Sequence, residues 1–302
     1  MNDTFELAVL RHLRGDLDGA AASYRELLDA DPHNATALNN LGFALAQQGR
    51  HAEAVTLYEQ AVEAAPDGPT AHLNLGNARA ATGDLTGSAA ALRRAVHLAP
   101  EDPAPRDNLA QVLLLCGRVA EAESLWRSAV TLAPGDVRLR VALGTAVAVQ
   151  QRLPEAAALL GDAVALDPSD ASAWSQLGAV LLLRGDLGSA VDALRQACAL
   201  LPRDGTARHH LALALLALGD RAGATVELEE AVRSAPDRIG LRADLAAVHL
   251  TEHRWAEALA HLDAAEAAGD PPEAALRERL RAYRAAATGA LAAAQESAAT
   301  DG

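Results

Sequence analysis

The chain contains no lysine, and all 26 of its basic residues are arginines. Phosphate-binding P-loops, Schiff-base catalysis and pyridoxal-phosphate sites each depend on a lysine amine, so the sequence excludes these kinds of site. It also lacks a G-x-S-x-G elbow, a C-x-x-C pair and a G-x-G-x-x-G motif after a predicted strand. We therefore expect a non-enzymatic protein without a cofactor.

Aromatic residues and long apolar runs are also scarce. Phe, Trp and Tyr together make up 3% of the 302 residues, so Ala, Leu and Val must build the core. No apolar run reaches the roughly 18 residues that a membrane helix needs, and the first residues lack the pattern of a secretory signal. We expect a cytoplasmic protein, and the excess of Arg, Ala and Gly favours a bacterial source.

The net charge of −14 limits the classes of partner. An acidic surface repels nucleic-acid phosphates and anionic lipid headgroups. We therefore expect a protein or peptide partner, with neither nucleic acid nor a membrane bound.

A period of 34 residues runs through most of the chain. Proline recurs at this interval without insertion or deletion, and glycines, small residues and bulky residues keep fixed positions between the prolines. Apolar residues inside each repeat have helical spacing, and glycine and proline end the two segments, so each repeat is predicted to be two antiparallel helices. The prolines are Pro32, Pro66, Pro100, Pro134, Pro168, Pro202 and Pro236.

The spacing of a small residue, a bulky residue, alanine and proline resembles the tetratricopeptide repeat family. The resemblance implies an all-α fold, a right-handed α-solenoid (superhelix) of antiparallel helix pairs with a C-terminal capping helix. Repeats are predicted over 1–272, the capping helix over 273–287 and a disordered tail over 288–302. The eight repeats are 1–34, 35–68, 69–102, 103–136, 137–170, 171–204, 205–238 and 239–272.

In the capping helix, apolar side chains would cover the last repeat and four arginines would face water. A basic docking stripe made by these arginines is the alternative. The apolar residues are Leu276, Leu280 and Tyr283, and the arginines are Arg277, Arg279, Arg281 and Arg284.

Cys116 and Cys198 differ in repeat position, so we expect two buried free thiols.

The resemblance implies that the first helix of each repeat lines a concave groove that binds a partner. At position six of three consecutive repeats stand Asn40, Asn74 and Asn108. An Asn amide both donates and accepts hydrogen bonds, so this ladder can bind the N–H and C=O groups of a peptide whatever its side chains are. Alternatively, Asn is simply common at this position. The candidate groove residues are Asn39, Asn40, Asn74, Asn77, Asp107, Asn108, Gln111, Arg138, Gln176, His209 and His210.

The sequence leaves two other kinds of ligand-binding groove open, a carboxylate clamp and an apolar groove. Asn77, Asn108 and Arg138 occupy three of the five positions of a carboxylate clamp, but Leu73 and Ala142 replace its other two cations. Further along, the groove becomes apolar, or these side chains turn inward between the helices. The residues concerned are Val141, Ala142, Thr145, Ala179, Leu182, Leu183, Leu213 and Leu216.

One motif resembles a catalytic site. The run from His249 through Glu252 to His253 matches H-x-x-E-H, the inverted zinc-protease pattern. A zinc site needs a third ligand and an open cavity, and the match falls at the end of a repeat helix and its turn. We therefore predict no metal site, and keep a zinc-dependent hydrolase at His249 and His253 as an alternative.

The sequence thus favours a non-enzymatic scaffold or adaptor that binds an extended peptide or helix of a partner in its groove. A self-assembling structural scaffold is the second hypothesis, in which end repeats stack head to tail or the groove takes a neighbour's tail. Weak self-association is compatible with either.

Overall fold

The computed structural model describes residues 2–269, 271 and 273–300, and these residues form helices and turns without any β-strand. Each predicted repeat contains two helices. Their bounds are α1 (Asn2–Leu13), α2 (Leu17–Ala30), α3 (Ala35–Gln47), α4 (His51–Ala64), α5 (Pro69–Ala81), α6 (Leu85–Leu98), α7 (Pro103–Leu115), α8 (Val119–Leu132), α9 (Val137–Val149), α10 (Leu153–Leu166), α11 (Ala171–Arg184), α12 (Leu187–Leu200), α13 (Gly205–Ala217), α14 (Arg221–Ser234), α15 (Ile239–Thr251), α16 (Trp255–Ala267) and α17 (Ala274–Thr300).

The chain divides into two compact units, Met1–Gln150 (the N-terminal half) and Gln151–Gly302 (the C-terminal half). Within each half, a helix packs against the helix before it and the helix after it in the sequence. Since short turns join these contacting helices, successive helices run antiparallel. This arrangement confirms the predicted all-α solenoid of helix pairs.

Left-handed residues end the first helices of the repeats. Six glycines at this position, from Gly15 to Gly219, have φ of 74–87°. In two repeats the position holds Gln151 (φ 61°) and His253 (φ 60°), although a side chain there costs roughly 1–2 kcal/mol. The predicted turn glycines are confirmed, and the tight turn is kept even where glycine is absent.

Acidic and amide side chains fix where many of these helices begin. Asn34 and Asp170 accept hydrogen bonds from backbone N–H groups in the first turns of α3 and α11. Asp16 and Asp84 do the same for α2 and α6. Each cap of this kind stabilises a helix by about 1 kcal/mol.

Each repeat buries one bulky side chain one helical turn after a small residue. The bulky side chains are at most 2% exposed, and the small residues four positions before them are fully buried. Small residues let the helices approach closely, so the bulky side chain fills the space between them. The bulky residues are Tyr24, Tyr58, Leu92, Trp126, Leu160, Leu194, Leu228 and Leu262.

Side chains at position four of several repeats bind the preceding inter-repeat turn. Trp174 donates through its ring nitrogen to the carbonyl oxygen of Pro168 at 2.9 Å, and Arg208 donates through Nε to that of Pro202 at 2.9 Å. His72 contacts the Pro66 carbonyl oxygen at 2.8 Å. The proline carbonyl oxygen lies at a helix end, where it has no helical partner. In these three repeats a different side chain binds the equivalent oxygen.

The C-terminal helix is longer than the predicted cap. Residues from 288 onward, expected to be disordered, continue α17 to Thr300, while residues 301 and 302 lie outside the described residues. Alanine has the highest helix propensity, and fully buried Ala287 packs in the same cluster as Leu280. Packing therefore extends the helix beyond Leu280, and an alanine-rich sequence continues it.

One cysteine differs from expectation. Cys198 is buried, and burial raises the pKa of its thiol to about 11. Cys116 is exposed, so its predicted burial is wrong. It lies at the C-terminal cap of α7, where the chain turns at Gly117.

Among the described residues, no helix is both long and apolar enough to cross a membrane.

Glycine at position eight allows the closest helix contacts in both halves. A Cβ atom added to Gly178 would lie 2.4 Å from Leu194 Cγ, and one added to Gly76 would lie 2.5 Å from Leu92 Cγ. Both leucines are fully buried. Neither side chain can move away without disturbing the core.

Gly178→Ala is therefore expected to lower the free energy of unfolding by roughly 1–3 kcal/mol, because the added methyl group overpacks the core. Gly161→Ala, in α10, is the matched control, since its Cβ would meet nothing within 4 Å. The control should be neutral or more stable by about 0.5–1 kcal/mol. Urea unfolding followed by circular dichroism measures both. Equal effects of the two substitutions would contradict this account of position eight.

Candidate functional site

In the N-terminal half, the first helices of successive repeats touch directly, α3 against α5 and α5 against α7. Their asparagines are hydrogen-bonded across the repeats. Asn74 Nδ2 donates to Asn39 Oδ1 at 3.0 Å, and Asn39 Nδ2 donates to Asn40 Oδ1 at 3.3 Å. Asn40 and Asn74 of the predicted ladder are therefore linked through Asn39 rather than being separate amides.

A second bond, separate from the first group, joins the next pair of repeats. Asn108 Nδ2 in α7 donates to Asn77 Oδ1 in α5 at 3.0 Å. No described residue donates a hydrogen bond to Oδ1 of Asn74 or of Asn108, so both oxygens remain available as acceptors. We call the following set the amide surface: Asn39, Asn40, Asn74, Asn77, Asp107, Asn108 and Gln111.

Buried aromatic side chains hold two members of the amide surface. Trp126 Nε1 donates to Asp107 Oδ1 at 2.8 Å, and the indole is 2% exposed. Burial raises the pKa of Tyr24, and a hydrogen bond with Asn40 partly offsets this rise. The core residues of the repeats therefore also orient polar side chains on the first helices.

Arg138 is the exposed cation beside this surface. Its side chain is 77% exposed and its Nη2 lies 2.8 Å from Asp136 Oδ2. The hydrogen bond that Arg138 donates to Asp136 raises the pKa of Arg138, and the charge of Asp107 adds to the rise. Surface pairs of this kind contribute about 0–1 kcal/mol, so the guanidinium can exchange Asp136 for another carboxylate at little cost.

The C-terminal half contains a different polar cluster. His209 Nε2 in α13 lies 2.8 Å from Asp244 Oδ2 in α15, and Arg279 in α17 donates to the other oxygen of Asp244. Burial raises the pKa of Asp244, but the bonds from His209 and Arg279 outweigh it and the net pKa is lowered. The carboxylate is thus held ionised between two donors.

The other two candidates in this half are less connected. His210 packs beside His209 with ring centroids 6.1 Å apart, and its buried Nδ1 has no hydrogen-bond partner among the described residues. Burial lowers the pKa of His210, and the charge of His209 lowers it further. Gln176 is half-buried in α11, and no described residue is hydrogen-bonded to its side chain.

The predicted apolar groove is only partly present. Leu182 and Leu216 are partly buried and pack against the core of the C-terminal half. Leu183, in contrast, is 66% exposed. In the N-terminal half, half-buried Thr145 bonds through Oγ1 to the carbonyl oxygen of Val141 at 2.8 Å. Leu182 and Leu216 therefore turn towards neighbouring helices, as the alternative interpretation states, whereas Leu183 stays open on the surface.

The H-x-x-E-H residues have unlike environments. His249 is 2% exposed, and its ring stacks on that of His261 at 5.4 Å. His253 is exposed in the left-handed turn and contacts the edge of Trp255. Within the described ranges, no group of three His, Cys, Asp or Glu side chains could hold a metal ion.

Sequence comparison supports the repeat interpretation directly. The model of the tetratricopeptide repeat matches residues 14–69, 44–103, 108–171 and 141–205, and a second model of the same repeat matches 205–230. Together these matches cover more than half of the chain. The chain belongs to the tetratricopeptide repeat family. Proteins built from this repeat generally mediate protein–protein interactions. The comparison with curated proteins gave no match.

Solved structures show the same fold. The APC/C hetero-tetramer Cut9–Hcn1 is similar with a TM-score of 0.66 and 17% identity over 88% of this chain, which spans about half (52%) of that chain. The structure of pilF from Pseudomonas aeruginosa has a TM-score of 0.58 and 18% identity, covering 67% of this chain and 92% of that one. The thermophilic protein TTC0263 of Thermus thermophilus has a TM-score of 0.51 and 27% identity, covering 61% and 100%.

Some of the C-terminal arginines of this tetratricopeptide chain have partners that the sequence did not predict. Of the four expected to face water, Arg279 binds Asp244 and Arg284 pairs with Asp263 and Glu266. Arg277 donates to the carbonyl oxygen of Pro271. The sequence gives one indication of such contacts, which is the spacing. Asp244 and Arg279 are 35 residues apart, the same separation as the hydrogen-bonded pair Asn39 and Asn74.

The stacked pair His249 and His261 predicts acid sensitivity. Burial lowers the pKa of both, so the folded state resists protonation, whereas unfolded histidine takes up a proton near pH 6.5. Stability should therefore be constant above about pH 6.5 and fall as the pH drops below it. We expect the thermal midpoint to fall less between about pH 7.5 and pH 5 in the double variant His249→Leu/His261→Leu than in wild type. The exposed His33→Leu variant is the control, and equal falls in all three proteins would contradict the prediction.

Proposed function

We propose that this protein is a non-enzymatic adaptor whose N-terminal half binds an extended segment of a partner protein along the amide surface. The observation that carries the proposal is the pair of inter-repeat amide–amide bonds, Asn74 to Asn39 and Asn108 to Asn77. These bonds fix the side chains of neighbouring repeats in one arrangement. Ligand binding then costs less side-chain entropy than it would with separate, mobile amides.

The chemistry of the surface suits a peptide backbone. Each amide presents an acceptor oxygen and a donor nitrogen, as a peptide group does. The open acceptors Asn74 Oδ1 and Asn108 Oδ1 can receive peptide N–H groups, while Asn40 and Asn77 have amide hydrogens to donate to peptide carbonyls. Recognition of this kind tolerates variation in the ligand's side chains.

The spacing of the repeats is compatible with this mode. Packed helices lie about 8–10 Å apart, and an extended or polyproline chain advances roughly 3.1–3.4 Å per residue. One asparagine therefore meets about every third residue of the ligand. The amide surface covers three consecutive repeats, so it can engage a segment of roughly seven to ten residues.

Charge at one end of the surface adds a preference. Arg138 is exposed, and its local pair with Asp136 is weak enough to be exchanged. A carboxylate of the ligand near this end can be bound by the guanidinium through paired hydrogen bonds. Asp107 is already held by Trp126 and serves mainly to position its neighbours.

The C-terminal half contributes less polar recognition in this proposal. His209 and Asp244 already bind each other, and Arg279 satisfies the second carboxylate oxygen. Gln176 and His210 are the remaining candidates for ligand contact there.

The test is a triple substitution of the ladder, Asn40→Ala, Asn74→Ala and Asn108→Ala. Ligands are first selected from a displayed library of random peptides on the wild-type full chain, and their affinity is then measured by calorimetry. Each neutral hydrogen bond contributes about 0.5–1.5 kcal/mol, so the triple variant should bind at least about tenfold more weakly. Helical content should stay the same, since these side chains are outside the core.

The matched control replaces amides on second helices, Gln60→Ala with Gln196→Ala, both exposed. This variant should bind the selected peptides like wild type. A further arm uses peptides methylated at single backbone nitrogens, and binding should fall only where a methylated N–H faces an asparagine. The assignment is refuted if the ladder variant binds as tightly as the control.

A further inference from the structure

The first helix of the chain carries an apolar stripe that the structure leaves uncovered. Leu7 is 45% and Leu10 is 50% exposed. At the position of Leu7, the seven later repeats have leucines that are at most 9% exposed, and at the position of Leu10 they have Ala or Val at most 5% exposed. The leucines are Leu41, Leu75, Leu109, Leu143, Leu177, Leu211 and Leu245.

The difference has a simple structural cause. In the N-terminal half, α3, α5, α7 and α9 each pack against the second helix of the preceding repeat. In the described part of the chain, α1 packs against α2, and no helix covers the opposite stripe. Two large apolar side chains one turn apart on an open helix face are typical of an interface.

Charged residues at the ends of the stripe indicate what covers it. Asp3, Leu7 and Leu10 lie in α1, and Arg14 lies one residue beyond its end, where its N–H still bonds to the carbonyl oxygen of Leu10. Their intervals of four, three and four residues are the spacing of one side of a helix. Asp3 and Arg14 are exposed, and neither is in an ion pair with a described residue. The later repeats have buried apolar residues where α1 has Asp3, as in Ala37.

Along α1 the order is acid, leucine, leucine, arginine. When a second copy of α1 runs in the opposite direction, each acid faces an arginine and each leucine faces a leucine. We propose that α1 pairs with α1 of a second copy of this chain, in antiparallel orientation about a two-fold axis. Asp3 then faces the partner's Arg14, and Leu7 faces the partner's Leu10. Both contacts occur twice by symmetry, as an isologous interface requires. A parallel pairing would instead place Asp3 against its own copy and Arg14 against its own copy.

The other end of the chain does not offer a similar surface. In the C-terminal half, α17 covers the last second helix, α16, through Leu280, Leu276 and Tyr283. The exposed side chains of α17 include Glu278, Arg281 and Ala285. A head-to-tail stack would place this polar face against Leu7 and Leu10. The two-fold pairing of α1 buries the leucines against leucines.

The pairing is expected to be weak and reversible. It involves one helix of 12 residues from each copy and lies at the small end of specific interfaces, below about 1,200 Å². Dimer formation should therefore depend strongly on concentration. The contact uses residues outside the amide surface, so it is independent of peptide binding.

The experiment is sedimentation equilibrium of the full chain over a wide range of concentrations, with any purification tag at the C-terminus. Wild type should show a reversible monomer–dimer equilibrium. The double variant Leu7→Ser/Leu10→Ser should raise the dissociation constant at least about tenfold, because the buried apolar contact is lost. Arg281→Asp, on exposed α17, is the control and should leave the equilibrium unchanged.

A charge exchange tests the antiparallel orientation. Asp3→Arg alone and Arg14→Asp alone should each weaken the dimer, by about threefold or more, since like charges then face each other at both ends. The combined variant Asp3→Arg/Arg14→Asp should recover wild-type affinity within about twofold. An equimolar mixture of the two single variants should form heterodimers in preference to either homodimer.

Several results would overturn the proposal. They are a strict monomer at every concentration, a dimer that the leucine substitutions leave intact, and a dimer that the combined charge variant does not restore. The chain could also be monomeric and bind a different protein through Leu7 and Leu10. That result would place the other protein on α1 and would overturn the dimer proposal. Circular dichroism of each variant shows that the helices remain folded.

Discussion

Close contact between helices at small residues sets how the repeats pack and where their polar side chains lie. Alanine or glycine at fixed positions brings the backbones together, and one bulky side chain per repeat fills the remaining space. Because this packing leaves little freedom, each repeat adds to its neighbour in nearly the same way. Residues at one repeat position therefore lie beside those at the same position in the next repeat. The polar contacts on the first helices follow from this regularity.

The same regularity supports different chemistry in the two halves. In the N-terminal half, the bond from Asn74 to Asn39 joins two neutral amides and leaves an acceptor open. In the C-terminal half, the equivalent spacing joins His209 to Asp244, and Arg279 completes a charged cluster. A neutral network that retains unused donors and acceptors suits ligand capture, whereas a charged cluster with its partners in place suits stabilisation of the last repeats.

Much of the fold could be predicted because its signals are local and repeated. Glycine at the turns, proline between repeats and helical apolar spacing act within a few residues of the chain. Predictions that needed knowledge of a neighbour were less accurate. Cys116 was expected to be buried but lies at an exposed helix end, and the ion pairs of Arg279 and Arg284 with Asp244, Asp263 and Glu266 were not predicted. Such pairings depend on distances between helices.

The amino-acid sequence is enough to predict the repeat length, the two helices of each repeat, the small and bulky core positions and the asparagines of the first helices. Packing between helices fixes the rest: which of those polar groups are already bonded, that Trp126 holds Asp107, and that Leu7 and Leu10 lie uncovered while their equivalents are buried. The physical reason is that periodicity specifies the face on which a residue lies. Hydrogen bonding and burial depend on what the adjacent helix places opposite that face.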